Sequence, residues 1–175
     1  MLLHTLRLTL RPLVAADAQP LYHIYQGEGV LQYFPNPTPP PLEKVERFIA
    51  AQQAHWERYG YGNWAIQLSE PLLAAEPLIG WAGLQFLPET GETEVGYLLA
   101  RPFWGKGYAV EAASASLRFG FEHFDFAEII ALVHPDNIAS LKVAARCGLT
   151  VVERKMYWGI ELVRHTLKRS EFKGL

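Results

Sequence analysis

In the opening stretch MLLHTLRLTLRPL, Leu6, Leu8 and Leu10 alternate with Arg7, Thr9 and Arg11. A period of two predicts a strand with one buried face. The pattern then changes. From Asp17 to Gly27 a short helix is expected, started by the aspartate and stopped by the glycine. Residues 35–41, PNPTPPP, hold five prolines and predict an extended loop. From 42 to 59 the positions of Leu42, Val45, Phe48, Ile49, Trp56 and Tyr59 fall near one helical stripe, and Gly60 and Gly62 end it. Three strand-like runs follow at 63–69, 78–87 and 93–100, separated by Pro- and Gly-bearing turns of hairpin length. They predict an antiparallel meander. Small residues Ala109, Ala112, Ala113 and Ser116 mark a helix over 108–121 that can lie close against a sheet. EIIALV at 128–133 reads as a buried strand, HPDN as a turn, and 138–147 as a helix stopped by Gly148. Two last strands, 149–157 and 160–168, flank Gly159.

This order predicts an α+β fold, with a mixed sheet of about seven strands flanked by helices in a single domain, 1–175. The strands at 93 and 128 are joined by a helical crossover, so they should run parallel. Trp64 and Trp81 belong to the expected core.

Composition narrows the function. Half of the 175 residues are hydrophobic and the net charge is −2, which argues against disorder and against direct nucleic-acid binding. No apolar run approaches a membrane span, and the alternating N-terminus is no signal peptide. Cys147 is the single cysteine, so no intrachain disulfide forms and a reducing, cytoplasmic setting is expected. It reads as a small buried apolar residue rather than a reactive thiol. No metal site is expected.

The chemistry gathers around WGKGYA, residues 104–109, where Gly105 and Gly107 directly precede a helix. A helix N-terminus offers unpaired N–H groups and partial positive charge, and glycine lets a phosphate approach them. Three readings compete. A P-loop fails, because Lys106 lies between the glycines. A dinucleotide fingerprint, as in an NAD-type oxidoreductase, lacks its third glycine, since Val110 stands there. The third reading is a glycine-rich helix start with no ligand.

EVGYLLARPFWGKGYAVEA together with VHPDNIASLKVAARCGL resembles the GCN5-related N-acetyltransferase (GNAT) superfamily, in particular its branch similar to ribosomal-protein-alanine acetyltransferases. The likeness extends from LRLTLRPL to HTLKRSEF. It implies that Trp104, Gly105, Lys106, Gly107, Tyr108 and Ala109 form the cradle for the diphosphate of acetyl-CoA, with Trp104 in place of the family's Gln or Arg. It also implies that backbone groups of Leu98, Leu99 and Ala100 pair with the pantetheine arm. An N–H there would polarise the thioester carbonyl, as in an oxyanion hole. Asn137 would contact the cofactor, act as a plain N-cap, or do both.

Many superfamily members protonate the departing thiolate with a tyrosine four residues before the helix-ending glycine, and here that residue is Ala144. The branch offers Ser140 instead, which is otherwise an ordinary helix-start serine. Glu94 is the first candidate for the base, against the alternative of a solvated strand-end carboxylate. His134 is the second, against a turn histidine. Tyr33, Phe34, Tyr157 and Trp158 are candidate acceptor-lining residues. The function implied is direct acetyl transfer to a primary amine, on a protein N-terminus or a small molecule, by a monomer or homodimer. The alternative is a non-catalytic acyl-CoA-binding module.

Overall fold

The computed structural model describes residues 1–69 and 78–174. Leu8 and Leu10 are fully buried in β2 (Leu8–Pro12), yet Leu6 is 91% exposed. The alternation breaks because residues 5–7 turn the chain, with Thr5 N–H donating to Leu8 O at 2.9 Å, and split off a two-residue strand, β1 (Leu3–His4). Among the described residues this brings the sheet of about seven strands to eight.

α1 (Ala18–Tyr25) follows a 3-10 turn, and the Asp17 side chain does not cap it. That carboxylate accepts from Val14 N–H and from both terminal nitrogens of Arg11, at 2.6–2.8 Å. α2 (Leu42–Tyr59) stops at Gly60, whose φ of +76° suits a residue without Cβ. Its buried stripe starts with Val45 and Ile49 but continues as Gln52 and His55. Burial of these polar groups is tolerated because they are bonded. Gln52 reaches Gln85 and the Asn63 N–H, while His55 donates from Nδ1 to Tyr61 O and accepts from Phe86 N–H at Nε2.

β3 (Asn63–Leu68), β4 (Gly80–Leu87) and β5 (Glu92–Leu99) form the expected antiparallel meander. The hairpin turn expected between β3 and β4 lies outside the described residues. α3 (Tyr108–His123) carries the chain to β6 (Glu128–Val133), which runs parallel to β5. α4 (Ile138–Arg146), β7 (Thr150–Tyr157) and β8 (Ile160–Lys168) complete the order β1-β2-β3-β4-β5-β6-β8-β7. The core has two parts. One joins the sheet to α3 and α4 through Val95, Leu99, Ala112, Leu117 and Ala144. The other joins it to α1 and α2 through Leu98, Leu21, Ile24, Val45 and Ile49. Trp64 is fully buried, and Trp81 packs at the second part with its indole N–H on Tyr25 OH. Among the described residues no helix is long and apolar enough to cross a membrane.

Candidate active site

β5 ends in a short 3-10 turn, Arg101–Phe103, and the next residues fold by virtue of two glycines. Gly105 and Gly107 have φ of +73° and +83°, in the left-handed region that side chains disfavour. A Cβ on Gly105 would meet nothing within 4 Å, so the loop opens outward. Gly107 is the N-cap of α3 and no side chain caps that end. The first-turn N–H groups of Tyr108 and Ala109 therefore have no side-chain cap as acceptor. Trp104 is 46% exposed and donates its indole N–H to Leu99 O at 2.7 Å, tying the glycine loop to the strand before it. The Lys106 ammonium sits 5.6 Å from the Phe103 ring centre.

β5 and β6 are in register at Glu94 and Ile130. Ala100 N–H donates to Ile79 O at 2.8 Å, which turns the backbone groups of Ala100 and Leu98 toward β4. Alternation along an antiparallel strand then turns those of Val95, Tyr97 and Leu99 toward β6. Of Leu98, Leu99 and Ala100, only Leu99 faces the gap, and its carbonyl is held by Trp104. Tyr97, which sequence reasoning did not single out, is the second gap-facing residue.

Glu94 lies where the two strands part. Its carboxylate accepts the Leu132 N–H at 3.3 Å, standing in for a ladder bond that the separating strands no longer make. Burial pushes its pKa up to about 7, opposed by that N–H and assisted by the nearby charge of Glu92. Strand alternation puts Glu94 on the same face as Leu98, toward α1 and α2, and puts Tyr97 on the face of α3 and α4. There the Tyr97 hydroxyl meets Ser140 Oγ at 2.8 Å and Ser140 O at 3.2 Å. Burial raises the Tyr97 pKa far above that of a free phenol, so the group keeps its proton. Asn137 Oδ1 accepts the Ser140 N–H at 3.1 Å, a side-chain cap for α4 that fixes the serine in place. Ala144 is buried further along the same helix.

His134 accepts the Asp136 N–H at Nδ1, as a turn histidine does, and its ring lies 5.3 Å from that of Tyr33. Phe34 is exposed beside Tyr33. Tyr157 is buried and donates to Glu92, which is paired with Arg164 at 2.7 Å; Arg164 also pairs with Glu128 at 2.7 Å. Tyr157 is thus a member of a charged network rather than an open wall. Trp158, at the tip of the β7–β8 hairpin with φ of +49°, is exposed. A cavity of about 520 Å³ lies instead between the α1–α2 loop and the glycine loop, lined by Tyr25, Glu28, Leu31, Pro37, Arg101 and Trp104. Cys147 is buried, its thiol within 3.6 Å of Ser114 Oγ, and burial pushes its pKa up. Among the described residues no cluster could hold a metal ion.

A glycine-opened helix start beside two parting strands can hold a phosphorylated thioester with a base on one face and hydroxyls on the other. Known proteins share the fold. A structure of an acetyltransferase from Agrobacterium tumefaciens strain C58 is 29% identical, with TM-score 0.82, and the match covers 95% of this chain and 94% of that one. RimL, a ribosomal L7/L12 alpha-N-protein acetyltransferase solved with coenzyme A, shares the fold at 17% identity and TM-score 0.81, over 98% of this chain and all of its own. The N-acetyltransferase p20 of Bacillus licheniformis is 32% identical over 142 residues, 81% of this chain and 78% of that protein. The FsC-acetyl coenzyme A-N(2)-transacetylase of Aspergillus fumigatus is 36% identical over 102 residues, 54% of this chain. The chain spans 41% of the length of that last protein and 60% of another curated relative. Residues 7–150 match the model of the acetyltransferase (GNAT) domain, which shows that the chain belongs to the GNAT acetyltransferase family.

Proposed function

We propose that the protein moves an acetyl group directly from acetyl-CoA to a primary amine, and that the acceptor is an α-amine of a peptide N-terminus or a small molecule. The observation that carries this reading is Glu94, a carboxyl at the parting point of β5 and β6 with a pKa of about 7. A base works best when its pKa lies near the operating pH. An α-amine titrates near about 8, one unit away, whereas a lysine amine near about 10.4 would oppose transfer to this carboxylate by three units. RimL is named for alpha-N-protein acetylation and the A. fumigatus relative for N(2) transacetylation, which agrees with an α-amine.

The donor supplies the acetyl thioester. The N–H groups around Gly105, Lys106, Gly107, Tyr108 and Ala109 would hold its diphosphate, and the gap-facing backbone of Tyr97 and Leu99 would border its arm. Glu94 receives the amine proton on the α1/α2 face. On the opposite face the buried Tyr97 hydroxyl and Ser140 Oγ share a hydrogen bond at 2.8 Å in which either can donate; when the tyrosine donates, the serine O–H is free to point at the departing sulfur. A serine is too weak an acid to give its proton to a thiolate, so Ser140 would hydrogen-bond the developing sulfur anion while keeping its proton, held in place by the Tyr97 hydroxyl. The buried thiol of Cys147 suits a reducing compartment such as the cytoplasm.

The test is calorimetric titration with acetyl-CoA, followed by thiol release with N-terminal peptides, polyamines and aminoglycosides. Binding with release stimulated by α-amines is expected. Binding with no stimulated release would leave a non-catalytic acyl-CoA-binding module, and no binding would overturn the reading.

A further inference from the structure

The first turn of α3 carries an anion of its own. Glu111 sits four residues after Gly107, on the helix whose N-terminus forms the cradle. A carboxylate there repels any diphosphate that the open N–H groups attract. Glu111 is nevertheless held ionised. Its pKa is lowered by the Thr5 hydroxyl, the Arg7 N–H and the Arg7 guanidinium, which together outweigh the opposing effect of burial.

The counter-charge comes from the other end of the chain. Arg7 lies between β1 and β2, and its Nε and Nη2 reach the Glu111 carboxylate at 2.8 and 2.7 Å. Its backbone N–H and the Thr5 hydroxyl meet the other carboxylate oxygen at 2.7 and 2.6 Å. Arg7 Nη1 also donates to Lys106 O at 2.9 Å, and its guanidinium carbon stands 4.5 Å from the centre of the Tyr108 ring. A Cβ on Gly107 would come within 3.3 Å of Nη2. One guanidinium therefore touches a carboxylate, a loop carbonyl and an aromatic ring, all within the eight residues, 104–111, that make the cradle and its first helical turn. Glycine at 107 leaves room for it.

We infer that Arg7 is a positioning residue for the donor diphosphate, which tunes the cradle by cancelling Glu111 and fixing the Lys106 carbonyl. This inference rests on the acetyl-CoA reading above. The prediction is specific to phosphate. Arg7→Met should raise the Kd for acetyl-CoA about tenfold, from one uncompensated carboxylate near a partly exposed diphosphate. It should leave the KM for acetyl-pantetheine, which lacks the diphosphate, unchanged. Removing the carboxylate as well, in Arg7→Met/Glu111→Gln, should restore most of the lost affinity, because the glutamine oxygen can still accept from Thr5 and the residue 7 N–H.

Thermal unfolding of each variant monitors the fold. If both donors weaken equally, the arginine is only structural and the inference is overturned. A double variant as weak as Arg7→Met would overturn it too, since cancellation of charge would then not be the cause. Failure of the unaltered protein to bind acetyl-CoA would instead remove the acetyltransferase reading, and this inference with it.

Discussion

The proposed cradle at 104–109 and the charged cluster of Glu92, Glu94 and Arg164 both adjoin β5, yet they are assembled by opposite means. The cradle consists of consecutive main-chain groups, shaped by two glycines and the start of one helix. The cluster consists of side chains from β5, β6, β7 and β8, with Arg164 bridging Glu92 and Glu128 and Tyr157 bonded to Glu92. Consecutive backbone is tuned by removing side chains, while a cross-strand cluster is tuned by choosing them. The two should therefore fail in different ways: damage to the first should appear in donor binding, and damage to the second in turnover or stability.

The sharpest way to break this division is Gly107→Glu. It forces a side chain into a left-handed position, crowds Arg7 and puts negative charge at the cradle, so acetyl-CoA affinity should fall by at least about a hundredfold. Calorimetry on the folded variant reads this, and unchanged affinity would end the cradle assignment. Next is Glu94→Gln, with kcat expected to drop about a hundredfold at unchanged acetyl-CoA Kd. The ionised carboxylate is the active form, so wild-type kcat/KM should fall as pH drops through about 7, and in the variant only the limb of the acceptor amine itself, near about 8, should remain. A parallel loss of donor affinity would mean that the two regions are not separate.

Tyr97→Phe removes the hydroxyl bonded to Ser140 and should lower kcat about tenfold with KM for acetyl-CoA held. Because it acts through the serine, the same change should do nothing further in a Ser140→Ala background. Additive losses would show two independent hydroxyls. The smallest effect is expected from Tyr157→Phe, which deletes one hydrogen bond to a carboxylate already paired with Arg164. It should destabilise the fold by about 1 kcal/mol, read as a lower Tm, with donor affinity unmoved.

The same contrast governs what the sequence made legible. The helix over 42–59 and the strand over 128–133 match the structure end to end, because their periodicity and stop signals are local. The glycine-opened start of α3 was legible for that reason: two glycines before an alanine-rich helix announce themselves. Leu6 misled, since alternation continues across a turn that only the tertiary fold imposes. Asp17 was read as a helix cap, but Arg11 and the Val14 N–H claim its carboxylate. The Arg7–Glu111 and Glu92–Arg164 pairs bridge 104 and 72 residues, and no local pattern announces such a pairing. Tyr97 had a signal that went unused, since a tyrosine two places before Leu99 must share its gap-facing side of the strand.

The place of β8 between β6 and β7 bears on how the chain comes into being. As the polypeptide is synthesised, every residue of the cradle emerges before 160, but β6 keeps a bare edge until the last strand arrives. Glu128 and Glu92 wait with it, their partner Arg164 still unmade. Until then β6 presents unpaired backbone to any neighbouring strand. A message broken off shortly before 160 would yield a chain that carries the whole diphosphate cradle in its sequence and is nonetheless prone to aggregate.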